Sequence, residues 1–182
     1  KGSNIKTFER LLIQNTKNYL QSVEAKVELK AGRLYIECTE DAKEAVEFTL
    51  SHLLGITGWA LAKVTEKNIE AIKSEVYNQA LEAKQKGAKS FKILAKRGDN
   101  SFPLDSYEIM KEAGAAVFDK QLLTVDVHNP DVVISVEVRE KCYIYSDSNK
   151  GHRGLPVGCS GKGLLLLSGG LDSPVAGYRM MR

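Results

Sequence analysis

Between Ile5 and Leu20 the apolar residues Ile5, Phe8, Leu11, Leu12, Tyr19 and Leu20 recur mostly three or four positions apart among polar ones, the spacing of an amphipathic helix. From Val27 to Cys38 the period changes to two. Val27 and Leu29 alternate with charged residues, Ala31-Gly32 interrupts, and Leu34, Ile36 and Cys38 alternate again, which predicts a hairpin. A second helix is expected over Glu40–Leu54, with acids in its first turn and Gly55 as its stop, followed by an apolar strand over Trp59–Val64. Helix, strand, strand, helix, strand is a split βαβ, ferredoxin-like order without its opening strand. The loop-like Lys1-Gly2-Ser3-Asn4 looks like an internal turn, so the sequence is expected to begin after that strand; the alternative is a small α+β domain that starts with the helix.

Asn68–Lys86 predicts a long helix with Ile69, Ile72, Val76, Ala80 and Leu81 on one face and Gly87 at its end. Phe91–Leu94 is a short strand running into Lys96 and Arg97. Pro103 then opens a helix through Ile109 and Met110 towards Gly114, and Val117–Leu123 is a connection or short helix. Strands are expected at Val125–Val127, Val132–Val138 and Cys142–Tyr145, the last two joined by the charged turn Arg139–Lys141. Ser148–Gly161 holds Gly151, Gly154, Gly158 and Gly161 and is expected to be a linker. Gly163–Leu167 is an unbroken apolar run, the pattern of a strand buried on both faces of a parallel sheet, and a helix begins at Pro174. The expected division is a ferredoxin-like domain over residues 1–55, an α/β domain over 56–147, a linker over 148–162, and the opening strand, loop and helix of a Rossmann-like domain over 163–182.

Composition narrows the class. At 182 residues with 43% hydrophobic and 27% charged residues, the chain has ordinary globular usage, which excludes a disordered or collagen-like protein. The longest aliphatic run, Leu164–Leu167, is far short of the roughly 20 residues of a membrane span, so a soluble, cytoplasmic protein is expected. Cys38, Cys142 and Cys159 have no C-x-x-C spacing, which argues against a disulfide framework or a zinc site, and the three histidines suggest no metal triad. Cys38 and Cys142 alternate with apolar strand residues and are expected in packing; Cys159 has no evident activating partner, and His52, His128 and His152 are expected to be surface or structural.

Net charge is only +3, but it is unevenly placed. Lys84, Lys86, Lys89, Lys92, Lys96 and Arg97 fall in one stretch with no acid among them. Such a run is either a solvated helix end or a surface for phosphates. Lys89, Lys92, Lys96 and Arg97 are the candidates for RNA contact, and Phe102 is either a base-stacking or a buried aromatic.

The chemistry concentrates after the apolar run. Ser168-Gly169-Gly170-Leu171-Asp172-Ser173 stands between a strand and a helix start, where backbone N–H groups and the helix dipole favour an anion. Gly169 and Gly170 let the backbone approach phosphate oxygens, Ser168 and Ser173 add hydroxyls, and Ser173 is a candidate N-cap ahead of Pro174. A carboxylate at Asp172 repels phosphate unless a cation intervenes, which implies Mg²⁺ or a polarised loop geometry. No Gly-Lys-Ser/Thr follows the strand, which excludes a Walker A loop, and no G-x-G-x-x-G follows it either.

Ser-Gly-Gly-Leu-Asp-Ser after an aliphatic strand resembles the PP-loop of ATP pyrophosphatases. The longer string SGGLDSPVAGY, Ser168 to Tyr178, with Gly154-Leu155-Pro156-Val157-Gly158 ahead of it, resembles the tRNA 4-thiouridine synthetase family, also called tRNA sulfurtransferase. Lys96-Arg97, Phe102-Pro103, Ser106 and Glu108, then Val136-Glu137-Val138-Arg139 and Tyr143-Ile144-Tyr145, resemble its RNA-binding THUMP domain. Asn100, His152-Arg153 and Cys159 depart from the family pattern. The resemblance implies an enzyme that adenylates the C4 oxygen of a tRNA uridine with ATP and replaces it with persulfide sulfur. It further implies a cysteine desulfurase as sulfur donor and a possible supply of sulfur to thiamine thiazole synthesis, with a homodimer left open. It assigns Asp172 a catalytic role, phosphate binding to Ser168, Gly169, Gly170 and Ser173, and a place beside ATP to the backbone of Leu166 and Leu167. The alternatives are a non-catalytic tRNA-binding THUMP module and a different PP-loop ATP pyrophosphatase.

Overall fold

The computed structural model describes residues 4–181; the first three residues of the expected opening turn, and Arg182, lie outside the described residues. Contacts divide the chain into two units. One joins the residues up to Trp59 with those from Asn149 onward, and the other is the continuous segment Ala60–Ser148.

The first unit opens in the expected order: α1 (Ile5–Tyr19), β1 (Ala25–Lys30), β2 (Arg33–Cys38), α2 (Lys43–His52) and β3 (Gly58–Trp59). The hairpin turn places both Ala31 (φ 49°) and Gly32 (φ 72°) in the left-handed region and pairs Lys30 with Arg33, the two-residue geometry that matches strand twist. Leu20, Val27 and Val46 form a small core, with Ile13, Val23, Leu34, Ile36 and Leu50 packed against it. α2 is shorter than its apolar pattern predicts. Glu40 and Asp41 lie in a turn before it, and Leu53 becomes extended (ψ 120°) ahead of Gly55 at φ 100°. Cys38 ends β2 exposed rather than packed, while Cys142 is buried.

The second unit contains β4 (Lys63–Thr65), α3 (Ile69–Gln85), β5 (Ser90–Arg97), α4 (Ser106–Phe118), β6 (Thr124–Val125), β7 (Val132–Val138) and β8 (Cys142–Tyr145). Its five strands lie in the order β4-β8-β7-β5-β6, with β5 parallel to β6 and β7 and the other pairs antiparallel. The apolar run Trp59–Val64 is therefore not one strand: its ends belong to β3 and β4, one in each unit. α3 begins where Asn68 accepts a hydrogen bond from Ala71 N–H at 2.7 Å. α4 starts later than Pro103 suggests, because Asp105 and Glu108 form a reciprocal capping box, and Gly114 lies inside it instead of ending it. Ile72, Val76 and Ala80 of α3 and Ile109, Ala113 and Val117 of α4 pack on Phe91, Ile93, Ile134, Val136, Val138 and Ile144. Fully burying one of the Val, Ile or Phe side chains among them contributes about 1.5–3 kcal/mol. Phe102 belongs to the same core at 3% exposure, so it cannot stack on a base.

The segment expected to be a plain linker is built into the first unit. β9 (Asn149–Lys150) pairs antiparallel with β3, and the next residues continue the contact: Gly151 N–H donates to Thr57 O at 3.0 Å, Arg153 N–H to Ile56 O at 2.8 Å, and Gly55 N–H to Arg153 O at 2.8 Å. Asn15 of α1 donates to Val157 O at 3.0 Å. The last element is α5 (Asp172–Met181). Gly163–Leu167 forms no strand and leaves Leu164, Leu166 and Leu167 exposed, because no neighbouring strand is present among the described residues to complete a ladder. No helix among the described residues is long and apolar enough to cross a membrane.

Candidate phosphate-binding loop and RNA-facing surface

The loop before α5 is organised by its two serines. Ser173 Oγ accepts from Ser168 N–H at 3.2 Å and lies 2.6 Å from Ser168 Oγ, and Gly170 N–H donates to Ser168 Oγ at 3.4 Å. α5 begins at Asp172, so Ser173 lies in the first turn and closes the loop instead of serving as N-cap. Pro174 fits that turn, where a missing N–H is tolerated.

Gly169 and Gly170 are not among the glycines with positive φ. A Cβ at Gly169 would meet nothing within 4 Å, and one at Gly170 only Ser168 Oγ at 3.7 Å. The chain's own conformation and packing therefore do not demand glycine at either position. What remains is open space over bare backbone at the start of a ten-residue helix, whose first N–H groups lack intrahelical partners. This donor set suits the oxygens of a polyphosphate. Asp172 is exposed at the helix start, able to reach a cation held by such a group. Leu166 and Leu167 lead directly into the loop, with side chains 83% and 71% exposed.

The four basic candidates share β5 and the residue before it, but they do not form one cluster. Ser90 and Arg97 mark the ends of this strand, roughly 23 Å apart at 3.3 Å per residue. Lys89 lines a depression of about 480 Å³ with Phe118, Asp119, Gln121, Leu122, Leu123 and Thr124. Lys92 Nζ donates to Val127 O at 3.0 Å, and Arg97 N–H to Ser106 Oγ at 3.0 Å. Lys96 is exposed. Asp131 fixes the start of the strand by accepting from Lys89 N–H at 2.8 Å and Ser90 N–H at 3.0 Å, bonds that hold its carboxyl below the usual range.

Two groupings join residues distant in sequence, and the local patterns did not reveal them. Lys67, just before α3, pairs with Asp99 after β5 and donates to Ser101 Oγ at 3.0 Å. The Lys67 hydrogen bond, aided by Ser101, lowers the Asp99 carboxyl to about 2. Arg139 donates through Nε to Glu137 at 3.1 Å, beside Gly98, at the same end of the sheet. In the first unit, Tyr178 of α5 is hydrogen-bonded to His152 at 2.8 Å. A spacing of 26 residues gives no sequence signal for that pair.

Comparison with known proteins agrees along the whole chain. The family profile of the THUMP domain matches residues 66–147, that of the ThiI ferredoxin-like domain residues 1–60, and that of the thiamine biosynthesis protein ThiI residues 158–182. A probable tRNA sulfurtransferase of Treponema pallidum (strain Nichols) is 46% identical over 184 residues, covering 100% of this chain and 46% of that protein. One from Thermoanaerobacter sp. (strain X514) is 44% identical over 185 residues, covering 100% and 47%. Among solved structures, a 4-thiouridine synthetase–RNA complex with bound ATP matches with a TM-score of 0.86 at 36% identity, over 100% of this chain and 46% of that one. A protein of Pyrococcus horikoshii Ot3 matches with a TM-score of 0.85 at 30% identity, over 100% and 61%. The chain thus spans about half the length of the curated relatives it matches. With the ThiI ferredoxin-like, THUMP and ThiI profiles following one another along it, and similarity to these proteins over its whole length, the chain belongs to the tRNA sulfurtransferase, or 4-thiouridine synthetase, family.

Proposed function

We propose that this chain is the RNA-binding and loop-bearing part of an ATP-dependent tRNA sulfurtransferase that makes 4-thiouridine. The observation that carries the reading is the Ser168–Ser173 loop, whose two glycines leave space that the chain itself does not use. In this reading residues 1–55, 56–147, 148–162 and 163–182 are the ferredoxin-like domain, the THUMP domain, the connection and the start of the PP-loop domain.

Ser168, Gly169, Gly170 and Ser173 hold the pyrophosphate part of ATP, the backbone of Leu166 and Leu167 flanks the nucleotide, and Asp172 holds Mg²⁺ or fixes the loop. ATP supplies the adenylyl group that turns the uridine C4 oxygen into a leaving group for sulfur. The chain's residues contribute positioning: the two serines and the Ser168 and Gly170 N–H groups are gathered by bonds to one another, and exchanging those bonds for phosphate oxygens brings several donors to the site where charge develops. Lys89, Lys92, Lys96 and Arg97 hold tRNA through its phosphates, a contact that orients the RNA without reading its sequence. A cysteine desulfurase as sulfur donor, a homodimer, a cytoplasmic location and a contribution to thiamine synthesis complete the reading by family likeness.

The test is Asp172→Ala in the full-length enzyme, followed by tRNA-dependent pyrophosphate release and a tRNA binding titration. Release falls about a hundredfold, the scale of a misplaced catalytic donor, while tRNA affinity stays within about twofold. Retained release removes Asp172 from the mechanism. A wild-type enzyme that neither releases pyrophosphate nor thiolates tRNA overturns the whole reading.

A further inference from the structure

α5 carries the phosphate loop at its N-terminus, yet little else holds it. Val175, Met180 and Met181 are more than half exposed, and the one buried residue of the helix is Gly177, whose bare Cα faces Leu165. Among the described residues, the hydrogen bond between Tyr178 Oη and His152 Nδ1, 2.8 Å long, is the single side-chain hydrogen bond from α5 to anything outside the loop itself. The rings meet edge to face with centroids 6.2 Å apart.

His152 is well placed to serve as an anchor. Its neighbours Gly151 and Arg153 are both bonded to the backbone of Thr57 and Ile56, so its Cα has little freedom. The ring also lies near His52 of α2, with centroids 6.4 Å apart. His52 stacks on Phe48 at 4.3 Å and approaches Phe48 O at 2.7 Å through Nδ1. The Ser51 hydroxyl also lies 3.0 Å from that Nδ1, a second contact on the His52 ring.

We infer that Tyr178 and His152 are a positioning pair: their hydrogen bond holds α5, and with it the Ser168–Ser173 loop, to the fixed segment that runs from β9 along Ile56–Thr57. The two groups do not touch the phosphates; they set where the loop's donors point. Tyr178 lies six residues after Asp172, about 9 Å along the helix axis, so freedom at Tyr178 becomes tilt at the loop. The inference rests on the reading of the loop as a nucleotide phosphate site, but the anchoring itself can be measured without nucleotide.

Three variants of the full-length protein decide it: Tyr178→Phe, His152→Leu and His152→Asn. Asparagine keeps a polar atom near the position of Nδ1, and its amide serves as donor or acceptor, so it rescues whichever way the proton points. In the absence of nucleotide, amide hydrogen exchange over residues 168–181 speeds up about fivefold in Tyr178→Phe and His152→Leu, the scale of one lost hydrogen bond, and returns towards wild type in His152→Asn. Exchange over α1 stays unchanged. In the same variants KM for ATP rises by a similar factor with kcat within about twofold, and tRNA affinity does not move. Exchange over 168–181 that equals wild type in both disrupting variants overturns the positioning role. Faster exchange with an unaltered KM overturns the link to nucleotide. An inactive wild type sinks the functional reading alone and leaves the exchange result standing.

Discussion

Asp99 shows how a single side chain ties distant parts of the second unit together. It follows β5, accepts from Lys67 ahead of α3, and also takes the Ser101 N–H at 2.8 Å, so one carboxylate binds the starts of two connections. The Lys67 bond, then those of Ser101, lower its carboxyl from 3.8 to about 2. Because the folded value is the lower one, the contribution favours the folded state above about pH 3.8 and is lost as pH falls through about 2. Asp99→Asn therefore lowers the urea midpoint at pH 7, and the difference from wild type shrinks between pH 4 and pH 2. Midpoints measured at pH 7, 4 and 2 check this; a difference that persists unchanged at pH 2 would assign the effect to shape rather than charge. Cys142 illustrates the opposite environment, since burial pushes its thiol up and keeps it unreactive.

At the scale of elements, the paired segments around β3 and β9 depend on glycines that no local propensity explains. A Cβ at Gly151 would lie 2.4 Å from Ile56 O and 3.0 Å from its carbonyl carbon, and one at Gly58 2.8 Å from Asn149 O. These neighbours are backbone atoms already held in a ladder, so they cannot rotate away as a side chain does. Gly151→Ala must spread the two segments, at a cost of about 1–3 kcal/mol. Gly163→Ala is the control, because its Cβ would meet nothing within 4 Å. Urea unfolding followed by circular dichroism should separate them, with a lowered midpoint for the first and an unchanged one for the second. Equal midpoints would mean that the approach at Gly151 opens without cost. The sequence suggested a flexible glycine-rich linker here because glycine serves both purposes, freedom and close approach, and only the partner strand distinguishes them.

For the whole molecule, the basic residues are spread along a strand instead of gathering in a patch, with Lys92 and Lys96 alternating onto one face and Arg97 onto the other. Replacing Lys92, Lys96 and Arg97 together by alanine should weaken tRNA binding and reduce the slope of log affinity against log salt by about two to three. Titrations at several salt concentrations test this, and an unaltered slope would move the RNA surface off β5. The sequence by itself determined whatever depends on neighbours along the chain. The hairpin over Val27–Cys38 was legible from its period of two and Ala31-Gly32, α3 from its apolar face and Gly87, and the phosphate loop from one contiguous string between an aliphatic run and a helix start. Whatever depends on a distant partner was decided only by the tertiary structure. The run Trp59–Val64 was divided between β3 and β4 because each end finds a different strand to pair with, β9 or β8. Gly163–Leu167 has the composition of a buried strand and yet forms none, since a ladder requires a second strand beside it and none is present among the described residues. Tyr178 and His152 meet only because backbone bonds to Ile56 and Thr57 hold residues 151–153 in place. Helices and turns are fixed by bonds a few residues long, whereas strand pairing and side-chain anchoring are fixed by groups that only the fold brings together.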